Sequence, residues 1–328
     1  MTRIGVLTGL ILTGALSMAV TAAPQRGQLP RAKVRTIQRV KDHLYVIPGS
    51  DQSTYSIPGS GYDASARTAT TGGNTAVFET DRGVVLVDTM NPGSGPEILA
   101  QVKSVTAKPV IMIINTHNHF DHSGSNIEFS PAVEFVAHEN AKANLSRATC
   151  LPVTNCDAFK GDNAKFLPKR TFANKLTLLK GKDRIDLYYF GRGHTNGDTW
   201  VVFPALRAMH TGDMFQRKNM PFVDAANNGG NALEFAQTLD RAAATIRGVD
   251  TVIPGHSPTL MTWNDFKEYT EYYREFVAAV RKAIESGKSA AAAASEYKPS
   301  DRYKTYETDE ARITQNAESI HASLKRGQ

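Results

Sequence analysis

The 328-residue chain contains two cysteines and no block of charges of one sign. Hydrophobic residues make up 41% and charged residues 21%, a balance that excludes a disordered tail protein, a coiled coil and a collagen-like repeat. The formal net charge of +6 is spread thinly along the chain. Because no basic strip with interleaved aromatic residues is present, we do not expect nucleic acid as a partner.

An apolar run at the N-terminus is the feature that bears on location. Arg3 precedes an apolar or small stretch over residues 4–20, and Val20-Thr21-Ala22 offers the small residues that a signal peptidase recognises. The run is short and no basic stop follows it, which disfavours a membrane anchor. We expect residues 1–22 to be a cleaved signal peptide, and the mature chain to be periplasmic or secreted with no stable membrane anchor.

The two cysteines, Cys150 and Cys156, lie close together in the sequence. In an exported protein such a pair indicates a disulfide that closes a small loop. A metal site is the alternative, but two thiolates without a neighbouring His or further Cys are an incomplete ligand set. We therefore predict a disulfide.

Strand and helix patterns alternate along the chain, which predicts an α/β fold. A hairpin is predicted at 75–79 and 84–87, on either side of Asp81-Arg82-Gly83. Other strands are expected within 33–48 and at 110–114, 133–137, 185–190, 199–203, 206–210 and 249–253. Helices are expected at 95–107, 139–147, 231–247, 290–294 and 308–325, and along the apolar stripe that runs from Phe266 to Ile284. Residues 49–73 and 148–175 are predicted to be irregular polar insertions. We expect a single domain over 23–328, with its core at about 74–257 and a helical tail at about 263–328.

Histidines and aspartates are concentrated in short segments that follow predicted strands. The densest is His117-Asn118-His119-Phe120-Asp121-His122, after the strand at 110–114. Three imidazoles and a carboxylate at this spacing have no use in packing, and they suit zinc, manganese or iron. Three further segments carry one candidate each: His194, Asp213 and His256. For His43, His138 and His321 an ordinary structural role is expected, and His210 is expected to pack rather than to bind metal.

The order and spacing of these motifs, from about Asn74 to Ser257, resemble the metallo-β-lactamase-fold superfamily. The resemblance implies an αββα sandwich with extra C-terminal helices and two metal ions, expected to be Zn²⁺, at one edge. Carried over by position, His117, His119 and His194 hold the first ion. Asp121, His122 and His256 hold the second, and Asp213 bridges the two. Asp88 matches the family's early Asp and is expected to orient a ligand His or the site's backbone.

This ligand set predicts a hydrolase. Two divalent cations that share a water lower its pKa to roughly 7, and the resulting hydroxide attacks a carbonyl or phosphorus. Asp121 is expected to be catalytic by orienting that nucleophile. No separate Ser or Cys nucleophile is needed.

The resemblance leaves the substrate open, because one fold hosts many reactions. We expect a small-molecule substrate with an ester-like, lactone, thioester or amide-like bond. Periplasmic β-lactam hydrolysis is an alternative, although the zinc β-lactamases similar to this chain carry Cys or Ser at the position of Asp213. An iron-dependent oxidoreductase on the same fold is a further alternative, and a non-catalytic metal-binding protein is the least favoured. Substrate contacts are expected from the insertions and the segment after Asp213; the candidates are Tyr55, Tyr62, Lys165, Lys169, Arg170, Arg217, Lys218 and residues 215–231.

Overall fold

A computed structural model describes residues 33–49, 71–154 and 156–326. The predicted signal peptide and most of the 49–73 insertion, with Tyr55 and Tyr62, lie outside the described residues. Within them the chain forms two β-sheets that pack face to face, with helices against both outer faces. The predicted αββα sandwich with C-terminal helices is confirmed.

The first sheet has seven strands that lie side by side in chain order. They are β1 (Gln38–Lys41), β2 (Leu44–Ile47), β3 (Thr75–Glu79), β4 (Val84–Val87), β5 (Val110–Ile114), β6 (Glu134–His138) and β7 (Arg170–Phe172). Pairing is antiparallel from β1 to β4 and parallel from β4 to β7. The carboxyl ends of β4, β5 and β6 therefore lie at the same edge.

The second sheet has six strands in the order β13-β12-β11-β10-β9-β8. They are β8 (Lys175–Leu178), β9 (Ile185–Tyr188), β10 (Trp200–Phe203), β11 (Ala208–His210), β12 (Thr251–Ile253) and β13 (Met261–Thr262). Only the β11–β12 pair is parallel within this described sheet. Its two carboxyl ends thus point the same way, and each is followed by a loop that carries a candidate ligand.

Seven α-helices cover the sheets in the described part of the chain: α1 (Gly95–Lys103), α2 (Phe120–Ser123), α3 (Glu139–Leu145), α4 (Ala232–Thr245), α5 (Trp263–Glu285), α6 (Ala290–Glu296) and α7 (Glu310–Arg326). The start of α4 is capped by Asn231, whose side-chain oxygen accepts the backbone N–H groups of Leu233 and Glu234 at 3.0 Å each. None of the described helices combines the length and the apolar character that a membrane span requires.

Side-chain alternation along the strands builds the layers. In β10, Val201 and Phe203 pack into the core between the sheets, whereas Trp200 and Val202 face α4 and the tail helices. The first sheet does the same: Val85 of β4 faces the second sheet, and Leu86 faces α1 on the outer side. Strands buried on both faces explain why the sequence shows continuous apolar runs instead of alternation.

The segment predicted to be irregular, residues 148–175, is partly ordered. It contributes β7, which pairs with β6, and the first residue of β8, which pairs with β9. The prediction was wrong here because β7 has only three residues, and its pairing with β6 is a long-range contact that no local pattern encodes. The disulfide between Cys150 and Cys156 in this segment is confirmed, with their Cα atoms 5.5 Å apart.

Candidate metal centre

Four loops meet where the parallel strands end. Residues 115–124 follow β5, Asp213 follows β11, His256 follows β12, and His194 lies between β9 and β10. Ligand sites in sheets with parallel strands characteristically lie outside these carboxyl ends. The structure brings all seven predicted ligands together there, each no more than 7% exposed: His117, His119, Asp121, His122, His194, Asp213 and His256.

His117, His119 and His194 form a cluster that we call the three-His group. The Nε2 atom of His194 lies 3.2 Å from His117 Nε2 and 3.0 Å from His119 Nδ1. These three ring nitrogens, which could each bind a metal ion, thus face one point. Their spacing would let one ion contact all of them.

The hydrogen bonds on the far sides of these rings fix their tautomers. His194 Nδ1 lies 2.6 Å from the carbonyl oxygen of Phe222, and His119 Nε2 lies 3.0 Å from Asp224 Oδ2. A carbonyl and an ionised carboxylate only accept, so both of these ring nitrogens donate. The nitrogens that face each other, His194 Nε2 and His119 Nδ1, therefore both present lone pairs.

The tautomer of His117 is fixed in the same way. The hydroxyl of Thr116 donates to Asp88 Oδ2 at 2.7 Å, and its oxygen lies 3.0 Å from His117 Nδ1. Since the hydroxyl proton is already used, Thr116 accepts from Nδ1 and leaves a lone pair on His117 Nε2. Three lone pairs at about 3 Å repel one another unless a cation lies between them, so this group fits a metal ion.

Asp121, His122, Asp213 and His256 form a second cluster, which we call the mixed group. His256 Nε2 lies 3.1 Å from His122 Nε2, 3.1 Å from Asp213 Oδ2 and 3.5 Å from Asp121 Oδ2. Asp213 Oδ1 lies 3.2 Å from His122 Nε2, and its Oδ2 lies 3.5 Å from His194 Nε2. Asp213 therefore stands between the two groups, where one carboxylate can contact two ions.

The two groups differ in electrostatics. Burial lowers the pKa of His194 to about 4, and burial together with the neighbouring imidazoles lowers the pKa of His117 well below its usual value. In the mixed group, burial opposes charge on His122, but the carboxylates of Asp213, Asp121 and Asp88 outweigh it and raise that pKa. Burial would raise the pKa of Asp213, yet the surrounding histidines hold it well below its ordinary value. The mixed group thus stabilises a positive charge on His122, whereas the lowered pKa values keep His117 and His194 neutral.

Asp88 lies directly after β4 and contacts both groups. Its Oδ2 lies 2.7 Å from His122 Nδ1, and its Oδ1 accepts the backbone N–H of Thr116 at 2.7 Å. With the hydroxyl of Thr116 also bound, Asp88 orients His122 directly and His117 through Thr116. It is fully buried and has a positive φ of 66°, a conformation that Asp and Asn adopt more readily than most residues.

Two glycines let the backbone approach the mixed group. A Cβ on Gly255 would lie 2.2 Å from Asp213 Oδ1, and one on Gly73 would lie 2.3 Å from His122 Cε1. Any side chain at either position would displace a candidate ligand. The backbone itself thus forms part of the wall that confines these side chains.

A sequence profile of the Metallo-beta-lactamase superfamily matches residues 69–260, more than half of the chain. The chain belongs to the metallo-beta-lactamase superfamily. It is therefore an enzyme of a metal-dependent hydrolase family, and its His and Asp groups are suited to divalent metal.

Two named proteins are similar to this chain over different lengths. The metallo-beta-lactamase type 2 of Elizabethkingia meningoseptica is 25% identical over 256 residues, which cover 76% of this chain and 87% of that protein. The 2,4-dinitroanisole O-demethylase subunit alpha of Nocardioides sp. (strain JS1661) is 30% identical over 143 residues, 42% of this chain. The match spans only 40% of that subunit.

Solved structures show the superfamily fold. The metallo-beta-lactamase from Pontibacter korlensis superposes with a TM-score of 0.56 at 19% identity, over 73% of this chain and 98% of that chain. The mono-zinc form of FIM-1 from Pseudomonas aeruginosa has a TM-score of 0.56 at 14% identity, over 76% and 98% respectively. At these identities the likeness concerns the fold alone.

Apart from Asp88, which contacts His122, sequence reasoning missed the residues that support the candidate ligands. Asp224 contacts His119, the carbonyl of Phe222 contacts His194, and Gln216 Nε2 donates to Asp213 Oδ2 at 2.6 Å. All three lie in 215–231, which the sequence analysis assigned to substrate contacts. A signal was present for Asp224, the one charged residue in the stretch 221–231.

Several residues expected to contact substrate have other partners. Arg217 pairs with Glu307 at 2.8 Å, and Lys218 pairs with Asp265 at 2.6 Å. In the 148–175 segment, Arg170 pairs with Glu134, Lys165 lies over the ring of Phe166, and Lys169 uses its backbone N–H to bind the carbonyl of Phe135. Both ring nitrogens of His210 make hydrogen bonds to the backbone: Nε2 with the carbonyl of Asn74, and Nδ1 with the N–H of Gly212. This is in line with a packing role.

Proposed function

We propose that the chain is an exported dinuclear zinc hydrolase that cleaves an ester-like, lactone, thioester or amide-like bond in a small molecule. In this proposal the three-His group holds one ion, and Asp121, His122 and His256 hold the other. Asp213 contacts both. The observation that carries the proposal is the convergence of lone pairs in the three-His group beside a buried, carboxylate-rich group, with Asp213 between them.

When bound, two such metal ions activate water and polarise the carbonyl oxygen next to the bond that is cleaved. The protein's own residues supply orientation. We propose that Asp121, at 7% the most exposed of the seven candidates, orients the attacking water and holds its proton on the carboxylate. Asp88, Asp224 and the Phe222 carbonyl fix the rings of His122, His119 and His194, so little reorganisation is needed during the reaction.

β-Lactam hydrolysis is the second candidate. It is favoured by the similarity to the E. meningoseptica enzyme, which is named a metallo-beta-lactamase and aligns with 76% of this chain. A β-lactam ring is an amide-like bond, so the same groups would act on it. Asp213, in place of Cys or Ser, distinguishes this site from those zinc β-lactamases.

The first experiment is the hydrolysis of a chromogenic cephalosporin by the zinc-loaded chain, with a chelator-treated control. The panel includes a lactone, a thioester, a nitrophenyl ester and, because of the Nocardioides relative, an aryl methyl ether. Rapid chelator-sensitive turnover of the cephalosporin establishes the β-lactamase candidate. Turnover of another bond type assigns that class. If a sample with two bound zinc ions cleaves none of them, the hydrolase proposal fails for these bonds.

Export is a separate part of the proposal. The N-terminal pattern and the disulfide support it, since disulfides persist in oxidising compartments. N-terminal sequencing of the protein from a periplasmic fraction tests it, with a start at residue 23 expected. A chain that starts at residue 1 and stays in the cytosolic fraction contradicts it.

A further inference from the structure

The loop of residues 216–224, which we call the support loop, serves both ligand groups. In the three-His group, the Phe222 carbonyl binds His194 and Asp224 binds His119. In the mixed group, the Gln216 side chain donates to Asp213 at 2.6 Å, and the Gln216 carbonyl accepts the N–H of His256 at 3.0 Å. The conformation of this one loop therefore determines how four candidate ligands are oriented.

The support loop is held by the C-terminal segment, which lies outside the superfamily match at 69–260. The backbones of Glu307 and Lys218 are joined by an N–H···O bond of 2.9 Å, and Met220 N–H binds the Glu307 carbonyl at 3.3 Å. From α7, the buried Asn316 donates to the carbonyl of Pro221 at 3.0 Å. The tail is thus packed along the whole middle of the loop.

Arg312, in the first turn of α7, makes the contact that reaches furthest into the site. Its NH1 donates to Gln216 Oε1 at 3.4 Å and to the carbonyl of Met220 at 3.2 Å. Its side chain is only 19% exposed, and its Nε lies 3.3 Å from Asp309 Oδ2. Arg312, Gln216 and Asp213 therefore form one continuous line of hydrogen bonds.

The direction of this line has a chemical consequence. A glutamine amide has an oxygen end that accepts and a nitrogen end that donates. A guanidinium has only donors, so Arg312 requires the oxygen end of Gln216 to face it. The nitrogen end then faces Asp213, where it can donate to the carboxylate. A reversed amide would place two acceptors together at 2.6 Å.

We propose that Arg312 is a positioning residue of the metal centre: it sets the orientation of the Gln216 amide, and Gln216 holds the carboxylate of Asp213. The inference rests on the proposed role of Asp213 as a ligand. It gives the tail helix a function in the chemistry, although α7 contributes no ligand itself.

The test measures stepwise zinc affinity by chelator competition in four full-length variants. Arg312→Met and Gln216→Met each remove one polar group at similar length. The third variant combines them, and Arg302→Met is the matched control, since Arg302 pairs with Glu271 elsewhere on the tail. Because Asp213 is proposed to contact both ions, and because supports of metal ligands typically change affinity by about 10–100-fold, we expect both zinc equivalents to weaken by about tenfold or more in Arg312→Met. The control should stay within about twofold of the wild type.

The double variant decides how Arg312 acts. If it acts through Gln216, the double variant binds zinc no more weakly than Gln216→Met alone. The absorption spectrum of the Co²⁺-substituted protein should shift in both single variants and stay unchanged in Arg302→Met. Additive losses in the double variant, or wild-type affinity and spectrum in Arg312→Met, would overturn the proposal. If Arg312→Met does not fold, Arg312→Lys, which keeps the positive charge but loses the planar fork of guanidinium donors, takes its place in the cycle.

The outcomes separate this inference from the proposed function. A wild-type chain that binds fewer than two zinc equivalents contradicts the dinuclear site itself. Two equivalents in the wild type, with unchanged zinc affinity in Arg312→Met, leave that site intact and remove the role of Arg312.

Discussion

The three-His group and the mixed group lie side by side but are built on different principles. In the three-His group, His194 and His119 each donate to a partner that can only accept, and burial keeps the pKa of His194 at about 4. In the mixed group, carboxylates surround His122, and His256 Nδ1 is buried without a hydrogen-bond partner among the described residues. One group is fixed by geometry, and the other by charge. We therefore expect the first to depend on the partners that fix its tautomers, and the second to depend on every carboxylate near it.

Asp213→Ala should have the largest effect, because Asp213 is the side chain that approaches both groups. It removes a contact to each proposed ion and leaves His122 and His256 with less compensating charge. We expect turnover to fall by about 10³-fold or more, the rate equivalent of losing several kcal/mol of metal-based stabilisation. Metal content per chain, measured by mass spectrometry alongside the rate, should also fall.

The control for that variant is Asp81→Ala, which removes an exposed carboxylate paired with Lys182 far from the site. It should keep full metal content and rate. Two bound ions and normal turnover in Asp213→Ala would show that this carboxylate does not bridge.

Asp88→Asn should have the next largest effect. It should affect both groups, because Asp88 supports a candidate ligand in each. Asn keeps the size of the side chain and tolerates the positive φ, but it lacks the charge that His122 and Thr116 share. Because Thr116 in turn orients His117, we expect both zinc equivalents to weaken, by about 10–100-fold. Stepwise affinities by chelator competition check this. If only the zinc equivalent in the mixed group binds more weakly, Thr116 does not transmit the loss of charge to His117.

The sequence was sufficient to predict features that depend on residues close together in the chain. Continuous apolar runs bounded by turn residues predict β3, β4 and β5 at the bounds observed, and the crowding of three histidines and an aspartate in 117–122 predicts a metal site. Apart from Asp88, which the family resemblance singled out, the residues that support the ligands could not be found in this way. Asp224 and Gln216 lie in an irregular loop, and Arg312 reaches the site from a helix almost 100 residues further along the chain. Their roles depend on tertiary packing, which leaves no periodic signal.

Asp224→Asn should have a smaller effect, confined to the three-His group. The variant keeps the shape but removes the charge that fixes the proton on His119 Nε2. We expect one zinc equivalent to weaken by about tenfold, with the equivalent in the mixed group unchanged. A matched Asp240→Asn variant alters a surface carboxylate paired with Arg274 and should change neither. Equal weakening of both equivalents would mean that the groups are more tightly coupled than their separate supports indicate.

The smallest expected effect on the site comes from removing the disulfide in Cys150→Ser/Cys156→Ser. The closed loop holds Val153 at a positive φ of 59°, unusual for a β-branched residue, and the Val153 carbonyl accepts the N–H of Phe120 at 3.1 Å. Opening a loop of this length should lower the free energy of unfolding by about 2 kcal/mol, seen as a lower melting temperature.

Thr154 in the same loop reaches Asn228 at 2.9 Å, and Asn228 donates to Asp224. The loop also pairs with the backbone of His119 through an isolated bridge at Thr154, but it reaches the His119 imidazole through these two side chains. We expect the zinc affinity of the three-His group to change far less than in Asp224→Asn, and the mixed group to be unaffected. The control is wild-type protein treated with reductant, which should melt like the double variant. A selective loss of the mixed-group zinc after reduction would reverse the comparison, because the disulfide would then support the group held by charge.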